Sequence, residues 1–172
     1  MVELKKQNYT KNKKLYESVL EKLRTKLEEN IDIEQVGSTA IKNMYGKNII
    51  DILIGAVDDN EFEEIRSKLE EIGFIPSKKS PDNIYQFFAS TEAETKDGDI
   101  HIHLVIKNTE RYREFLILKN YLIKNKEEAT AYSNFKKKLI SSGITDRKEY
   151  KRTKSEYVTA LLERAKKEFY NN

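Results

Sequence analysis

The chain has 172 residues, of which 38% are hydrophobic and 35% charged, with a formal net charge of +3 and no cysteine. A chain of this length with seven Phe and ten Tyr is expected to fold as one domain with a real core, and disulfides, thiolate nucleophiles and cysteine-ligated zinc are excluded. No apolar run approaches the roughly 20 residues of a bilayer span and no signal peptide opens the chain, so a cytoplasmic protein without a membrane partner is expected.

Leu15, Val19, Leu20, Leu23 and Leu27 recur at helical spacing and predict an amphipathic helix over Lys11 to Glu29. Ile31, Ile33 and Val36 read as a short strand that ends at Gly37. A glycine lets backbone N–H groups approach an anion, and the Ser38 hydroxyl adds a donor where Thr39-Ala40-Ile41 can begin a helix. Gly37 and Ser38 are therefore candidate phosphate contacts. Ile49 to Ile54 is short and rich in β-branched residues, as in a strand buried on both faces, yet it holds Asp51. A carboxylate there is costly to desolvate unless a cation, a basic partner or solvent meets it.

Asp58-Asp59-Asn60 offers an N-cap for a second helix striped by Phe62, Ile65, Leu69 and Ile72, which Gly73 stops. Phe74-Ile75 leads a further strand, and Pro76 and Pro81 bracket a turn at Lys78-Lys79. Asn83 to Ser90 and Asp99 to Ile106 read as strands joined by a polar hairpin loop from Thr91 to Gly98. Asp99, His101 and His103 alternate along one of them and so share a face, and these are the two histidines of the chain. Imidazoles there could ligate a metal, donate to phosphate or move a proton, or one could be a core histidine. From Thr109 onward the pattern is helical: one helix around Tyr112 to Leu122, a second around Tyr132, Phe135 and Leu139 that stops near Gly143, and a last one carrying Tyr157, Leu161, Ala165 and Phe169.

Charge divides the chain. Residues 107–172 carry 17 Lys and Arg against 9 Asp and Glu, and residues 1–106 carry 15 against 20. A basic half facing an acidic one suits a polyanion clamped between them, and solvated Lys-Glu pairs on helix surfaces are the plainer alternative.

The stretch G-S-T-A-I followed by K-N-I-I-D-I-L-I-G resembles the GrpB-like family of the nucleotidyltransferase superfamily, whose members typically read G-S-T-[AS]-V-P-G-L and then K-P-I-I-D-I. Lys42-Asn43 stands here for the family's Pro-Gly, and Asn48 for its second Pro. The likeness continues through His101-Ile102-His103-Leu104-Val105 and into Tyr150-x-x-x-Lys154-x-x-Tyr157, similar to a terminal Y-x-x-x-K-x-x-F pattern. The resemblance implies an α+β domain with a nucleotidyltransferase-like mixed sheet, flanking helices and a C-terminal helical lobe. It would be a single domain over residues 1–172, with a sheet-containing half (1–106) and a basic helical half (107–172).

It also implies a nucleoside triphosphate as substrate or ligand and Mg2+ or Mn2+ as cofactor, with Asp51, Asp99, His101 and His103 as metal candidates. Asp51, His101 and His103 become the catalytic candidates; Arg113 and Lys154 join the phosphate contacts, and Tyr150 offers a ring to the base. The wider superfamily carries a second acid two residues along its catalytic strand, and here that position is Leu53, which cannot ligate magnesium. Two functions follow: metal-dependent nucleotidyl transfer to an unknown small acceptor, or nucleotide binding by a regulatory module without turnover. No basic-aromatic strand pattern favours nucleic acid as a partner. The sequence does not fix the acceptor, the nucleobase or the oligomeric state.

Overall fold

The computed structural model describes residues 4–78, 84–90, 99–144 and 146–171. The chain opens with β1 (Lys5–Lys6) and α1 (Tyr9–Arg24). The Asn8 side chain accepts from the Lys11 N–H at the helix start, and Thr25 turns its hydroxyl back to the Lys22 carbonyl at its end. The helix thus starts and stops earlier than its apolar spacing predicts, and Leu27 is buried in the turn that follows. Leu15 is exposed, while Asn12, hydrogen-bonded to Gln7 at 3.0 Å, takes a buried place on the helix.

Next come β2 (Asp32–Val36), a 3-10 turn at Ser38–Ala40, β3 (Tyr45–Gly46), β4 (Ile50–Ala56) and α2 (Asp59–Glu71), capped by the Asp58 carboxylate. The expected helix at Thr39 is only that three-residue turn, since Ile41 is already extended. Then β5 (Phe74–Pro76), β6 (Tyr85–Ser90) and β7 (Ile100–Ile106) complete the strands. The Lys78-Lys79 turn with Pro81, the Asn83 start of a strand and the Thr91–Gly98 hairpin loop fall wholly or partly outside the described residues. The helical half is α3 (Glu110–Lys124), α4 (Lys126–Ser141) and α5 (Arg147–Tyr170).

Five strands form one mixed sheet in the order β2-β4-β7-β6-β5, and β1 and β3 pair as a separate ribbon. Within the sheet β4 and β7 run parallel and the other neighbours antiparallel. Period-two alternation then assigns every second side chain to one face. Ile50, Ile52, Ile54, Ile102, Leu104 and Phe88 pack under α1 and α2 with Val19, Leu23, Phe62, Ile65 and Leu69 in one apolar cluster. The opposite face is shared. At one end α3 covers Val36, Leu53 and Val105 with Tyr112, Phe115 and Leu116. At the other, Asp51, His101 and His103 stay open to a cleft, roofed by α4 and α5, whose own core joins Tyr132, Leu122 and Leu161 to Ile41 and Met44. The fold class is the α+β mixed sheet with flanking helices that the sequence implies.

Candidate functional site

The register of the central pair creates the site. Asp51 lies opposite His101, and Leu53 opposite His103, across the parallel β4–β7 ladder. His101 Nδ1 and His103 Nε2 stand 3.4 and 3.6 Å from Asp51 Oδ1. His103 Nδ1 is 3.0 Å from the Tyr85 hydroxyl. The Tyr85 hydroxyl can donate to Nδ1 or accept from it, so the strand β6 contact holds the ring in place in either tautomer. Phe87 packs edge-on against His101 at 4.8 Å, and Phe115 lies 4.7 Å from His103. Burial by itself would raise the Asp51 carboxyl, but hydrogen bonds and charge from His101 and His103 outweigh it and hold it well below the usual carboxylate range.

Gly37 belongs to this arrangement for a reason other than phosphate. Its φ is +70°, and a Cβ there would lie 2.2 Å from Asp51 Oδ2. The residue leaves room for the carboxylate, and it does not line the cleft. Ser38 does line it. Its Oγ packs over Gly46, where a Cβ would come within 2.4 Å. The turn after Gly37 is three residues of 3-10 helix, so Ser38 opens no extended helix and faces the cleft through its own hydroxyl.

The cleft has a volume of about 520 Å³, a size suited to a small ligand. Its floor is Ser38, Asp51, His101 and His103, with Tyr85 and Phe87 beside them. Its roof is helical: Tyr132 and Lys136 from α4, Tyr150, Lys151 and Lys154 from α5, with Lys47 at the edge. Lys136 is 3% exposed; its amine donates to the Tyr45 carbonyl and lies 4.5 Å from the centre of the Tyr132 ring. Burial, and to a lesser degree the charge of Lys154, lower its pKa from 10.5 to about 7 against the opposing pull of Asp51. Lys154 is also lowered, chiefly by burial. Tyr150 is buried against Leu139 and Ile140, with Lys47 over its ring. Tyr157 stacks on Phe135 at 4.0 Å in the helical core and takes no part in the cleft.

The structure thus brings together Ser38, Asp51, His101, His103, Tyr150 and Lys154. It leaves out two candidates besides Gly37. Asp99 is exposed ahead of β7, where its carbonyl accepts from the Ile50 N–H, and Arg113 donates to the Asn108 carbonyl at 2.7 Å; neither lines the cleft. Lys136 was missed from sequence, although a signal existed: it sits four residues after Tyr132 and three before Leu139, on an apolar helical stripe. Lys47, Lys151 and Tyr85 gave no such signal.

A resident pair of magnesium ions needs two carboxylates on this face. The second position, Leu53, is 1% exposed beneath α3, and Asp99 stands apart. Among the described residues no group of three or more His, Cys, Asp or Glu side chains is placed to hold a metal ion. One carboxylate already engaged by two imidazoles does not fit two resident metals.

Known proteins resemble this chain in sequence and in fold. The family described as "GrpB protein" matches residues 2–164. The glutamate-rich protein GrpB of Alkalihalophilus pseudofirmus is 29% identical over 153 residues, covering 87% of this chain and 88% of that protein. A relative from Streptomyces coelicolor is 24% identical over 136 residues, 79% of this chain and 69% of its own. The crystal structure of GrpB from Enterococcus faecalis superposes with a TM-score of 0.83 at 22% identity, over 98% of this chain and 99% of that one. Cid1, described as having RNA terminal uridylyl transferase activity, superposes with a TM-score of 0.56 at 14% identity, over 82% of this chain and 43% of Cid1. At these identities the two structures speak for the nucleotidyltransferase-like fold.

Proposed function

The chain belongs to the GrpB family, and from its site we propose that it binds a nucleoside triphosphate in the cleft between the sheet and the helical roof. The observation that carries this reading is the cleft's two-sided chemistry. Ser38 and the Asp51-His101-His103 group line one wall, and Lys136, Lys154, Lys151 and Tyr150 line the other. Lysines at low dielectric attract phosphate strongly, and Ser38 can donate a hydrogen bond. Tyr150 closes this wall beside the lysines, with Lys47 over its ring. A divalent cation, Mg2+ or Mn2+, is read as travelling with the triphosphate, whose oxygens supply the ligands that Leu53 does not.

Nucleotidyl transfer is the reaction class to which the family and its fold neighbours point. In that reading a small acceptor hydroxyl attacks the α-phosphorus and pyrophosphate leaves. The chain's own part is to align the tail against Ser38 and the lysines and to take the acceptor proton at His101 or His103, held by Asp51. Binding without turnover is favoured by one observation, the apolar Leu53 packed where the second acid would stand.

Calorimetry with ATP, GTP, CTP and UTP, with and without manganese, tests binding. Ser38→Ala is expected to weaken the tightest triphosphate about fivefold, the loss of one hydrogen bond, and Asp51→Asn to remove any effect of manganese. Absence of binding by all four nucleotides would end this reading. Pyrophosphate release that requires His101 or His103 would assign the enzyme, and a chain that binds without release is the module.

A further inference from the structure

Ion pairs close the joints between the sheet and the helical half. Lys107 meets Asp32 at 2.6 Å and Lys119 meets Glu34 at 2.5 Å. One face departs from this. Residues 4–16, 35–50 and 129–144 hold five, two and three lysines and no Asp, Glu or Arg, in a chain with 29 Asp and Glu. These segments are far apart in sequence and meet at the β1–β3 ribbon. The Gln7 N–H donates to the Met44 carbonyl, the Tyr45 N–H donates to the Ser133 hydroxyl of α4, and Lys6 is the register partner of Tyr45. No single stretch of sequence shows a basic-aromatic pattern; it arises where the three join.

We propose that the outer side of this ribbon binds single-stranded nucleic acid, with lysines on its phosphates and tyrosines under its bases. The ribbon has two sides. Gly46 lines the cleft, where a Cβ would come within 2.4 Å of Ser38 Oγ, so Tyr45, its neighbour in the strand, faces the other way. There the Lys137 ammonium stands 4.4 Å from the centre of the Tyr45 ring. Lys6 lines a hollow of about 530 Å³ with Tyr9 and Lys42, whose ammonium lies 5.4 Å from the centre of the Tyr9 ring. Lys6, Lys42 and Lys137 are exposed, and among the described residues none of them meets a carboxylate. A lysine resting on a ring at the surface is held weakly; it can swing to a phosphate and leave the ring to a base. Cation beside ring, repeated, suits a strand that alternates charge with unpaired base, whereas a duplex hides its bases. A lipid surface asks for apolar anchors, and of the large exposed hydrophobic residues described, Leu15 alone falls in the three segments. This surface is independent of the nucleotide reading, because Lys6, Lys42, Lys137, Tyr9 and Tyr45 lie outside the cleft.

A labelled oligouridylate of about 12 nucleotides, which forms no duplex, tests the surface by fluorescence anisotropy. The wild type is expected to bind it with a log–log salt slope of about −2, from three phosphate contacts at about −0.7 each. Replacing Lys6, Lys42 and Lys137 together by Gln should weaken the oligonucleotide at least about tenfold and flatten that slope. Tyr9→Leu should weaken it about fivefold at an unchanged slope, which separates stacking from charge. Thermal unfolding checks the fold of each variant. Calorimetric affinity for a nucleoside triphosphate should be the same in the lysine variant as in the wild type; a parallel loss would place the strand in the cleft and overturn the separate surface. No binding by the wild type, or wild-type affinity in the folded lysine or Tyr9 variant, overturns the proposal. Polyglutamate of similar length bound as tightly as oligouridylate would reduce the surface to a cationic patch and overturn it too. So would binding to phosphatidylserine vesicles in place of oligouridylate. Oligouridylate binding with these signatures, but no triphosphate binding, upholds the surface and ends the nucleotide reading. Triphosphate binding without oligouridylate binding does the reverse.

Discussion

The two faces of the sheet use the same strands for opposite purposes. On β4 the residues Ile50, Ile52 and Ile54 enter a dry core under α1 and α2, while Asp51 between them faces the cleft. On β7, Ile102 and Leu104 lie in that core, and His101 and His103 face out. The second face then changes character within one strand repeat, because Leu53, two residues beyond Asp51, is closed off by α3. The core face tolerates no polar group, the cleft face is built from them, and Leu53 is on the apolar side of a boundary that the wider superfamily places further along.

The largest effect should come from moving that boundary. Leu53→Asp places an acid beneath Phe115 and Leu116, and a loss of about 3–5 kcal/mol in denaturant unfolding is expected for a buried charge without a partner. Recovery of most of that loss on adding manganese would show that the boundary is soft and the metal site latent. Gly37→Ala comes next. A methyl group 2.2 Å from the Asp51 carboxylate, on a backbone that side chains avoid, should cost about 2–3 kcal/mol. Pairing it with Asp51→Gly should return part of this, and identical losses with and without the carboxylate would mean that backbone strain alone sets the cost.

The smallest effect sharpens the cleft side and has the opposite sign. The folded chain holds the Lys136 amine at about 7 against 10.5 unfolded, so the unfolded state binds more protons between those values and stability rises with pH across that window. Lys136→Met should flatten part of this rise. It should also stabilise the empty protein at about pH 6 by about 1–2 kcal/mol, after the lost bond to the Tyr45 carbonyl is counted. A variant less stable than wild type at that pH would mean that the lysine supports the fold instead of burdening it.

Much of this organisation was legible in the residues. The β-branched run around Asp51 and the alternation of His101 and His103 were enough to predict two strands with their polar members on one side, and the likeness to a known family made them neighbours. What sequence could not supply was distance. Gly37 and Ser38 read as a phosphate turn because glycine and serine serve that purpose elsewhere, whereas the glycine here answers to a carboxylate fourteen residues on, across the β2–β4 pairing. Asp99 alternates correctly with the histidines but precedes β7, and Arg113 spends its guanidinium on a local carbonyl. β1 and β3 are two residues each, too short for any periodicity. Lys136 was hidden in a run of three lysines, of which helical geometry turns only this one fully inward.

The parallel ladder between β4 and β7 carries a consequence for how the protein comes to exist. It joins Asp51 to His101, fifty residues apart, with α2, β5 and β6 in between. Loop-closure entropy makes such a pairing slow to nucleate, whereas helices and the β2–β4 neighbours close over shorter spans. The carboxylate and its imidazoles therefore meet late, and the lysine roof on α4 and α5 leaves the ribosome later still. Until then Asp51 is an acid on a strand that lacks its neighbour. The cleft is complete only when the β4–β7 ladder and the helical roof are both in place.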